Sequence, residues 1–272
     1  MKRNVAIVVT AGLLTVNIAA AQQKATPAEA VSKTRRAADG HPDLSGIWTF
    51  AISIPPGAIA RVVDGRKTVL KADQSARYLQ AELPGALPWT KEPSYKPELR
   101  AKVADLAAHE SKVDAVFYCG RPGVPRIGSP RRIVQLSNEF IFFYEDISGD
   151  AFRFIPVNGK HRADFNPSYY GDAVAHWEGD TLVVDTTNFV DETWFGEEGY
   201  FHSDAMRVTE RLWRVGDDLA YQVTVDDPKV LTKPWTNFAH LIKPSDEPMQ
   251  ESPVCKDDDG NRLLNLDHHV QR

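Results

Sequence analysis

A series of short β-rich segments, each closed off by turn residues, constrains the fold of this chain more than any other feature. Eight such segments lie between residues 131 and 244, and EFIFFYED (139–146) and TLVVDTTNF (181–189) are typical of them. Their β-branched and aromatic residues favour strands, and pairs such as Ser137-Asn138 and Gly216-Asp217 are short enough to close hairpins. The series predicts a mainly all-β fold, either an antiparallel up-and-down barrel or a strongly curled sheet.

One helix is predicted ahead of the strands. Within PELRAKVADLAAHESKV, Leu99, Val103 and Leu106 recur at helical spacing, and Pro97 occupies a tolerated first-turn position. This spacing predicts a helix from Glu98 to Glu110, so the β fold is expected to carry one or two short helices.

A charged tripeptide, Glu178-Gly179-Asp180, lies between two of the predicted strands in HWEGDTLVVDT. Gly179 permits the left-handed backbone that tight turns need, and aspartate favours turns because its side chain bonds to nearby backbone. This charged tripeptide is therefore predicted to be a hairpin turn. It could at the same time present His176 and Asp185 to a cavity.

Alternation sorts the side chains of each predicted strand between two faces. In TLVVDTTN, one face takes the odd-numbered residues from Thr181 to Thr187, and the other takes the even-numbered residues from Leu182 to Thr186. Both faces of several strands are partly apolar, which suits a sheet that is covered on its outside. Five charged residues of the strands could then form a partly buried network, or else surface ion pairs that stabilise little: Glu145, Arg153, Asp185, Glu210 and Arg211.

The first residues are typical of an export signal. A short basic region precedes an apolar run, residues 5–20, that is too short to span a bilayer, and Ala19-Ala20-Ala21 fits the small-residue cleavage rule. A retained membrane anchor is the alternative. Cleavage predicts a periplasmic or secreted protein without stable membrane insertion. The predicted organisation is a signal peptide over residues 1–21, a flexible leader over 22–40 and a single β-barrel-like domain over 41–272.

Export changes the interpretation of the two cysteines, Cys119 and Cys255, because the exported compartment is oxidising. A disulfide between them is predicted, and the chain-entropy model values a loop of that length at roughly 5 kcal/mol. Two buried free thiols are the alternative. Neither cysteine has the C-x-x-C spacing of a redox-active or zinc site.

Several segments together resemble a large, mostly uncharacterised family of exported proteins of acidobacteria, sphingomonads and related Gram-negative bacteria. HWEGDTLVVDT (176–186) is the most specific of them, and DLSGIW (43–48), RPGVPR (121–126) and ESPVC (251–255) are also similar. The resemblance implies export, β architecture and a disulfide, and it carries no settled activity. The chain departs from the family at His161-Arg162, where the family usually has His-Pro, which weakens any role inherited by His161.

A second resemblance is to the calycins, the lipocalin-like barrels. Gly46-Ile47-Trp48 is similar to the Gly-x-Trp motif in the first strand of those barrels. The resemblance implies that Trp48 closes the base of a barrel and packs beneath an arginine of a late strand, Arg211 or Arg214, as a cation–π pair.

Histidines of the β region are the candidates for proton transfer, because imidazole titrates near neutral pH. His202 lies in the polar loop EEGYFHSDAM, and His176 lies near a strand end. We predict His202, His176 and Asp185 as catalytic residues, with His202 at the mouth of an apolar cavity and a carboxylate within its reach. Histidines that are hydrogen-bonded only for packing are the alternative. The predicted ligand-binding residues are Tyr144, Arg153, Tyr170, Trp194 and Glu210.

No cofactor and no metal site is predicted. The histidines of the β region show no H-x-H, H-x-x-x-H or H-E-x-x-H spacing, although distant strand positions could still assemble ligands. The chain also lacks a G-x-S-x-G nucleophile elbow and a Gly-rich phosphate loop. A formal net charge of −5 without basic runs disfavours nucleic acid as a partner.

Two functional hypotheses remain for this exported chain, and both involve a small hydrophobic molecule. The first is a cofactor-independent lyase, hydratase or isomerase that uses histidine and carboxylate for proton transfer on an aromatic or terpenoid substrate. The second is a carrier or sensor that binds such a molecule without turnover. A subunit that docks on a partner through exposed strands is a further alternative, and the sequence does not predict an oligomeric state.

Overall fold

The computed structural model describes residues 34–49, 59–63, 66–70, 83–146, 149, 151–251 and 255. The predicted signal peptide, residues 1–21, and the first part of the predicted leader lie outside the described residues.

Four strands form an antiparallel sheet, here called sheet A: β1 (Gly46–Ile47), β4 (Arg132–Gln135), β5 (Glu139–Tyr144) and β6 (Ala151–Pro156). Their order in the sheet is β1-β4-β5-β6. The chain turns between β4 and β5 at Ser137-Asn138, as predicted. A separate antiparallel pair joins β2 (Ile59–Val63) and β3 (Arg66–Leu70).

Six further strands form a second antiparallel sheet, sheet B: β7 (Asp172–Glu178), β8 (Thr181–Thr187), β9 (Arg207–Val215), β10 (Asp218–Asp226), β11 (Trp235–Thr236) and β12 (His240–Ile242). Their order is β11-β10-β9-β8-β7, and β12 also pairs with β10. The hairpins turn at the predicted places. Gly179 and Gly216 have φ values of +60° and +61°, which explains why glycine occupies both turns.

The two sheets touch at both edges through isolated bridges. Val157, just after β6, bridges Ala175 of β7, and Trp48, just after β1, bridges Pro244 after β12. In the described part of the chain these single bridges do not become a continuous ladder. The mainly β, antiparallel prediction is confirmed, and of its two forms the structure is consistent with the curled sheet and has no closed barrel.

The core lies between the inner faces of the two sheets, and the face assignment predicted from alternation is confirmed. Leu182 of β8 pairs with Leu212 of β9, Thr186 pairs with Val208, and all four residues are fully buried.

The outer face of sheet B is covered in part by residues 83–90. The backbone of Leu87 exchanges two hydrogen bonds with the Gln222 side chain. These bonds explain how a glutamine on the outer face can be fully buried, because its amide group keeps polar partners there.

A helix occurs where it was predicted, and helical structure continues past the predicted end at Glu110. A 3-10 turn, Pro97–Leu99, leads into α1 (Arg100–Ala108), which is followed by α2 (Glu110–Val113) and a second 3-10 turn, Ala115–Tyr118. Within the described ranges no helix is both long and apolar enough to cross a membrane.

Two further predictions are confirmed. Cys119 and Cys255 form a disulfide, with their Cα atoms 5.6 Å apart. Arg214, one of two arginines expected above Trp48, has its guanidinium carbon 5.0 Å from the centre of that ring. This contact places the end of β9 on the segment that follows β1.

The end of the predicted leader contacts the β7–β8 hairpin, whose turn contains the charged tripeptide. Arg36 donates to both carboxylate oxygens of Asp180, at 2.9 and 2.7 Å. His41 stacks on Trp177 with ring centres 4.4 Å apart. The structured part of the chain therefore includes residues before His41.

Candidate functional site

Three of the five predicted ligand-binding residues meet in one cluster between the sheets. Arg153 donates to Glu210 Oε2 at 2.6 Å, to the Tyr144 hydroxyl at 3.0 Å and to Thr186 Oγ1 at 2.8 Å. Tyr221 donates to the other oxygen of Glu210 at 3.0 Å. Glu210 is 0% exposed and Arg153 is 5% exposed. The two terminal nitrogens of Arg153 and both oxygens of Glu210 are therefore bonded within the cluster and buried, while Arg153 Nε is buried without a hydrogen-bond partner among the described residues.

The electrostatics of this cluster keep its tyrosines neutral and its arginine charged. Burial raises the pKa of Tyr144 and of Tyr221, so both hydroxyls remain protonated donors. Burial alone would lower the pKa of Arg153, but electrostatic interactions and hydrogen bonds with Glu210 and Tyr144 together outweigh burial, and the pKa is raised. The cluster is a buried guanidinium–carboxylate pair supported by neutral hydroxyls.

The other two predicted ligand-binding residues, Tyr170 and Trp194, lie near arginines of the RPGVPR segment. The guanidinium carbons of Arg121 and Arg126 are each 5.9 Å from the ring centres of Tyr170 and Trp194, respectively. Arg126 also donates to both oxygens of the buried Asp114, at 2.8 and 2.5 Å. Trp194 is 7% exposed and packs in the core.

Asp185, a predicted catalytic residue, lies on the outer face of sheet B within a second charged cluster. Arg207 donates to its two oxygens at 2.5 and 2.6 Å, and His161 Nε2 lies 2.8 Å from Oδ2. Burial alone would raise the pKa of Asp185, but hydrogen bonds from Arg207 and His161 outweigh it and hold the pKa below its ordinary value. Asp185 is therefore ionised and firmly paired at neutral pH.

The sequence does not predict the partners of Asp185 in this outer cluster, and one of these partners is His161. Its Nδ1 lies 3.2 Å from Asp172 Oδ2, and its side chain is 30% exposed, so the imidazole bridges two carboxylates at a partly open position. Asp172 also accepts hydrogen bonds from the backbone and side chain of Arg162. The irregular loop around His161 has no period that would place this residue over β8.

The three predicted catalytic residues have separate partners. His176 is exposed, and its Nε2 lies 3.4 Å from Glu178 Oε1, while Arg211 donates to the other oxygen of Glu178 at 2.7 Å. Asp185 is bound to Arg207 and His161, and His202 lies in the loop before β9 with partners of its own. The structure does not bring His202, His176 and Asp185 into one hydrogen-bonded group.

His202 is buried rather than open to solvent, with 3% of its surface exposed. Its Nδ1 lies 2.9 Å from the Ser203 carbonyl, and its Nε2 lies 3.0 Å from Thr193 Oγ1. A carbonyl can only accept, so Nδ1 carries the proton, and in the neutral ring Nε2 accepts from the threonine hydroxyl. Burial lowers the pKa of His202, which favours this neutral form. The arrangement is a hydroxyl held on a basic imidazole nitrogen.

Hydrogen bonds to Asp227 hold the loop that carries His202. The fully buried carboxylate of Asp227 accepts from the Ser203 backbone at 2.6 Å and from the Ser203 hydroxyl at 2.8 Å. Since both contacts fix Ser203, they also fix the carbonyl that holds the His202 ring. The His202 tautomer is therefore set by a chain of bonds that begins in the core.

A cleft of about 410 Å³ opens on the far side of the same loop. Its walls come from the segment before α1, from α1 itself and from the loop before β9. The lining residues are Glu92, Pro93, Ser94, Tyr95, Arg100, Val103 and Tyr200. The cleft thus combines two tyrosine rings and a valine with one cation and one anion, a composition that can bind a small molecule.

The floor of the cleft belongs to an aromatic cluster. The ring of Tyr95 lies 5.3 Å from Phe201 and 6.3 Å from both Phe195 and Tyr200. The Tyr95 hydroxyl donates to the Phe201 carbonyl at 2.5 Å, and the Tyr200 hydroxyl donates to Glu198 Oε2 at 3.1 Å. Both tyrosines therefore have their hydroxyls engaged within the protein and offer ring surface to the cleft.

Gly199 sets how closely the loop approaches α1. A Cβ at this position would lie 2.6 Å from the Val103 carbonyl oxygen and 2.8 Å from the Ala107 nitrogen, and the residue has a φ of +74°. Only glycine accommodates both the contact and the backbone. This close approach places Tyr200 beside Val103, and so it forms the cleft.

No group of three or more histidine, cysteine, aspartate or glutamate side chains that could hold a metal ion occurs within the described ranges. Searches of protein-family models, curated proteins and solved structures found no match to this chain. The resemblances to exported bacterial proteins and to calycins therefore stay predictions, and the function has to be argued from the geometry.

Proposed function

We propose that this chain is an exported protein that handles small molecules and that it binds its ligand in the cleft beside Tyr200. The observation that carries the proposal is the cleft itself, which has about 410 Å³ of space over an aromatic floor. The volume lies within the usual range for ligand sites, about 300–1,000 Å³. Export is supported by the apolar N-terminal run and by the disulfide, which is compatible with an oxidising compartment.

The position of the cleft favours this site over the predicted ligand-binding cluster around Arg153. A ligand could reach Arg153 and Glu210 only by separating the two sheets, because both residues are buried and bonded to each other. The cleft needs no such opening. Tyr200 is only partly buried beside this space, Tyr95 is buried beneath it, and neither tyrosine must give up a hydroxyl hydrogen bond to contact an apolar group.

The binding proposal is tested by filling the cleft. A library of small aromatic and terpenoid compounds is screened by thermal shift, and ligands are then titrated into the matched variants Val103→Trp and Ala104→Trp. Val103 lines the cleft, whereas Ala104 is the exposed neighbour on the same helix. We expect Val103→Trp to abolish binding and Ala104→Trp to leave it unchanged. Ligands that bind Val103→Trp normally would contradict the proposal.

A second candidate function is acid–base catalysis, and the Thr193–His202 pair favours it. His202 is neutral, its tautomer is fixed by the Ser203 carbonyl, and its Nε2 holds a hydroxyl that can pass a proton. A lyase, hydratase or isomerase acting on a small aromatic or terpenoid substrate requires only such placed acids and bases. The burial of the pair means that substrate would have to enter beside Thr193.

Catalysis is tested by hydrogen exchange, which requires no knowledge of the product. Compounds with an acidic C–H are incubated with the protein in D₂O, and deuterium incorporation is followed by mass spectrometry. We expect His202→Gln to slow incorporation by at least about 10²-fold, the usual contribution of a general base. His109→Gln, an exposed histidine next to α1, is the control and should leave the rate unchanged. Equal rates in both variants would rule out His202 as the base.

A further inference from the structure

The cleft presents two opposite charges that do not neutralise each other. Arg100 and Glu92 both line it, and among the described residues no ion pair joins them. The Arg100 guanidinium makes one hydrogen bond to a described residue, from Nε to the Tyr95 carbonyl at 3.4 Å. The Glu92 carboxylate lies 3.9 Å from the Lys91 ammonium, and both of these side chains are largely exposed. Each charge therefore remains available to a ligand.

The apolar part of the cleft lies beside these charges. Tyr95 and Tyr200 contribute ring surface, and Val103 contributes a branched aliphatic group. Burial raises the pKa of Tyr95 and of Tyr200, so neither tyrosine adds a negative charge to the cleft at neutral pH. The charge pattern seen by a ligand is one cation, one anion and a neutral aromatic surface.

We infer that the cleft binds a free zwitterion with an apolar side chain, that is, an amino acid of the phenylalanine type. This inference rests on the proposed small-molecule-binding function and names its ligand class. The carboxylate of such a ligand pairs with Arg100, its ammonium pairs with Glu92, and its side chain packs on the tyrosine rings. A monoanion carries no group that could pair with Glu92, and a monocation carries none that could pair with Arg100.

A small molecule that carries both charges fits the cleft better than the end of a polypeptide does. A free α-amino acid carries its ammonium and carboxylate on one carbon, so both can be satisfied within a single cleft. A peptide end supplies only one of the two charges. The wholly hydrophobic ligand that the sequence predicts would use the rings alone, and it would gain nothing from Arg100 or Glu92.

The experiment compares four probes that differ by one group each. L-phenylalanine, 3-phenylpropionate, phenethylamine and glycine are titrated calorimetrically into the full chain after removal of the signal segment. We expect L-phenylalanine to bind at least about tenfold more tightly than each of the others, because a charge-assisted hydrogen bond or an apolar contact is lost in each comparison.

Two variants test which side chain recognises the ammonium and which recognises the carboxylate of L-phenylalanine. Glu92→Gln should remove the preference for L-phenylalanine over 3-phenylpropionate while leaving the preference over phenethylamine. Arg100→Gln should do the reverse. Lys112→Gln, at an exposed position of α2 that does not line the cleft, is the control and should leave both preferences intact.

The three kinds of failure can be told apart. If 3-phenylpropionate or phenethylamine binds as tightly as L-phenylalanine, or if neither variant changes the preferences, the zwitterion inference is overturned while binding in the cleft stands. If L-phenylalanine binds equally well to Val103→Trp, the inference is overturned together with the cleft as its site. If no probe binds but library compounds bind in a Val103-dependent way, only the ligand class is wrong.

Discussion

Two charged clusters lie on opposite faces of sheet B, and adjacent residues of one strand belong to them. Thr186 points inward to the Arg153–Glu210 pair, and Asp185 points outward to Arg207 and His161. Both clusters contain a close arginine–carboxylate pair, at 2.6 Å between Arg153 and Glu210 and at 2.5 Å between Arg207 and Asp185. They differ in access to water, since the Arg153 side chain is 3% exposed and the Arg207 side chain is 59% exposed.

This difference shows that geometry alone does not tell what an ion pair contributes. Water near Arg207 screens its charge and can solvate Asp185 if the arginine moves away. No water can replace Arg153 beside Glu210, so loss of one partner leaves the other as a bare charge in the core. The inner cluster is therefore expected to dominate stability, and the outer cluster is expected to respond to pH and salt.

Removal of the inner arginine should have the largest effect. Arg153→Ala leaves the fully buried Glu210 without its cation, and such a change typically costs about 3–5 kcal/mol of unfolding free energy. The free energy of unfolding is measured by urea denaturation at neutral pH with the disulfide intact. A loss below about 1 kcal/mol would mean that Tyr221 alone satisfies Glu210, contrary to the role assigned to the pair.

The outer carboxylate should have an intermediate and pH-dependent effect. Asp185→Asn weakens its hydrogen bonds with Arg207 and His161, and a hydrogen bond to a charged group contributes about 1.5–3 kcal/mol at most. The pKa of Asp185 is lowered in the folded state, so its contribution is present above the ordinary aspartate pKa, about 3.9, and is lost as pH falls below that value. The difference in unfolding free energy between wild type and variant should therefore shrink below about pH 4.

Urea denaturation of both proteins at several pH values checks this prediction. Glu139→Gln, a carboxylate on a strand of sheet A, serves as a control for general acid effects. A difference between wild type and Asp185→Asn that stays constant from neutral pH to about pH 3 would show that the carboxylate charge is not what stabilises the outer cluster.

Joint replacement of the inner pair by apolar residues should change stability little. In Arg153→Met/Glu210→Leu no bare charge remains, and replacements of this kind in other proteins are often neutral or stabilising. We expect the double variant to unfold within about 1 kcal/mol of wild type, well above Arg153→Ala. If the double variant is as unstable as the single one, the two tyrosines and Thr186 need the charges as hydrogen-bond partners, and the cluster acts as a unit.

Much of this architecture can be predicted from local sequence. Alternation in TLVVDTTN is enough to separate Asp185 from Thr186, because strand side chains have a strict period of two. Short turn pairs fix the hairpins, and the compartment implied by the N-terminus predicts the disulfide. The pairing of Trp48 with Arg214 was expected from the calycin resemblance, which left Arg211 equally open.

The candidate site could not be predicted from local sequence in this way, and the reason is physical. Glu92 and Val103 come from neighbouring parts of the chain, Tyr200 comes from a loop that is distant in sequence, and Gly199 lets this loop approach the helix closely. Neither periodicity nor turn chemistry predicts that approach. The position of His161 was missed in the same way, because an irregular loop carries it over β8.

The smallest effect is expected at an ion pair that has good hydrogen-bond geometry but lies at the surface. Arg36 donates to both oxygens of Asp180 at 2.9 and 2.7 Å, yet the two side chains are 48% and 61% exposed. Salt and water screen such a pair, and holding the long arginine side chain in one geometry costs entropy, so exposed pairs of this kind contribute little to stability. We expect a double-mutant cycle of Arg36→Ala and Asp180→Ala to give a small coupling, which disappears in about 1 M salt. A coupling as large as the cost of Arg153→Ala, retained in salt, would show that exposure does not separate the two kinds of pair, and the contrast between the clusters of sheet B would then need another cause.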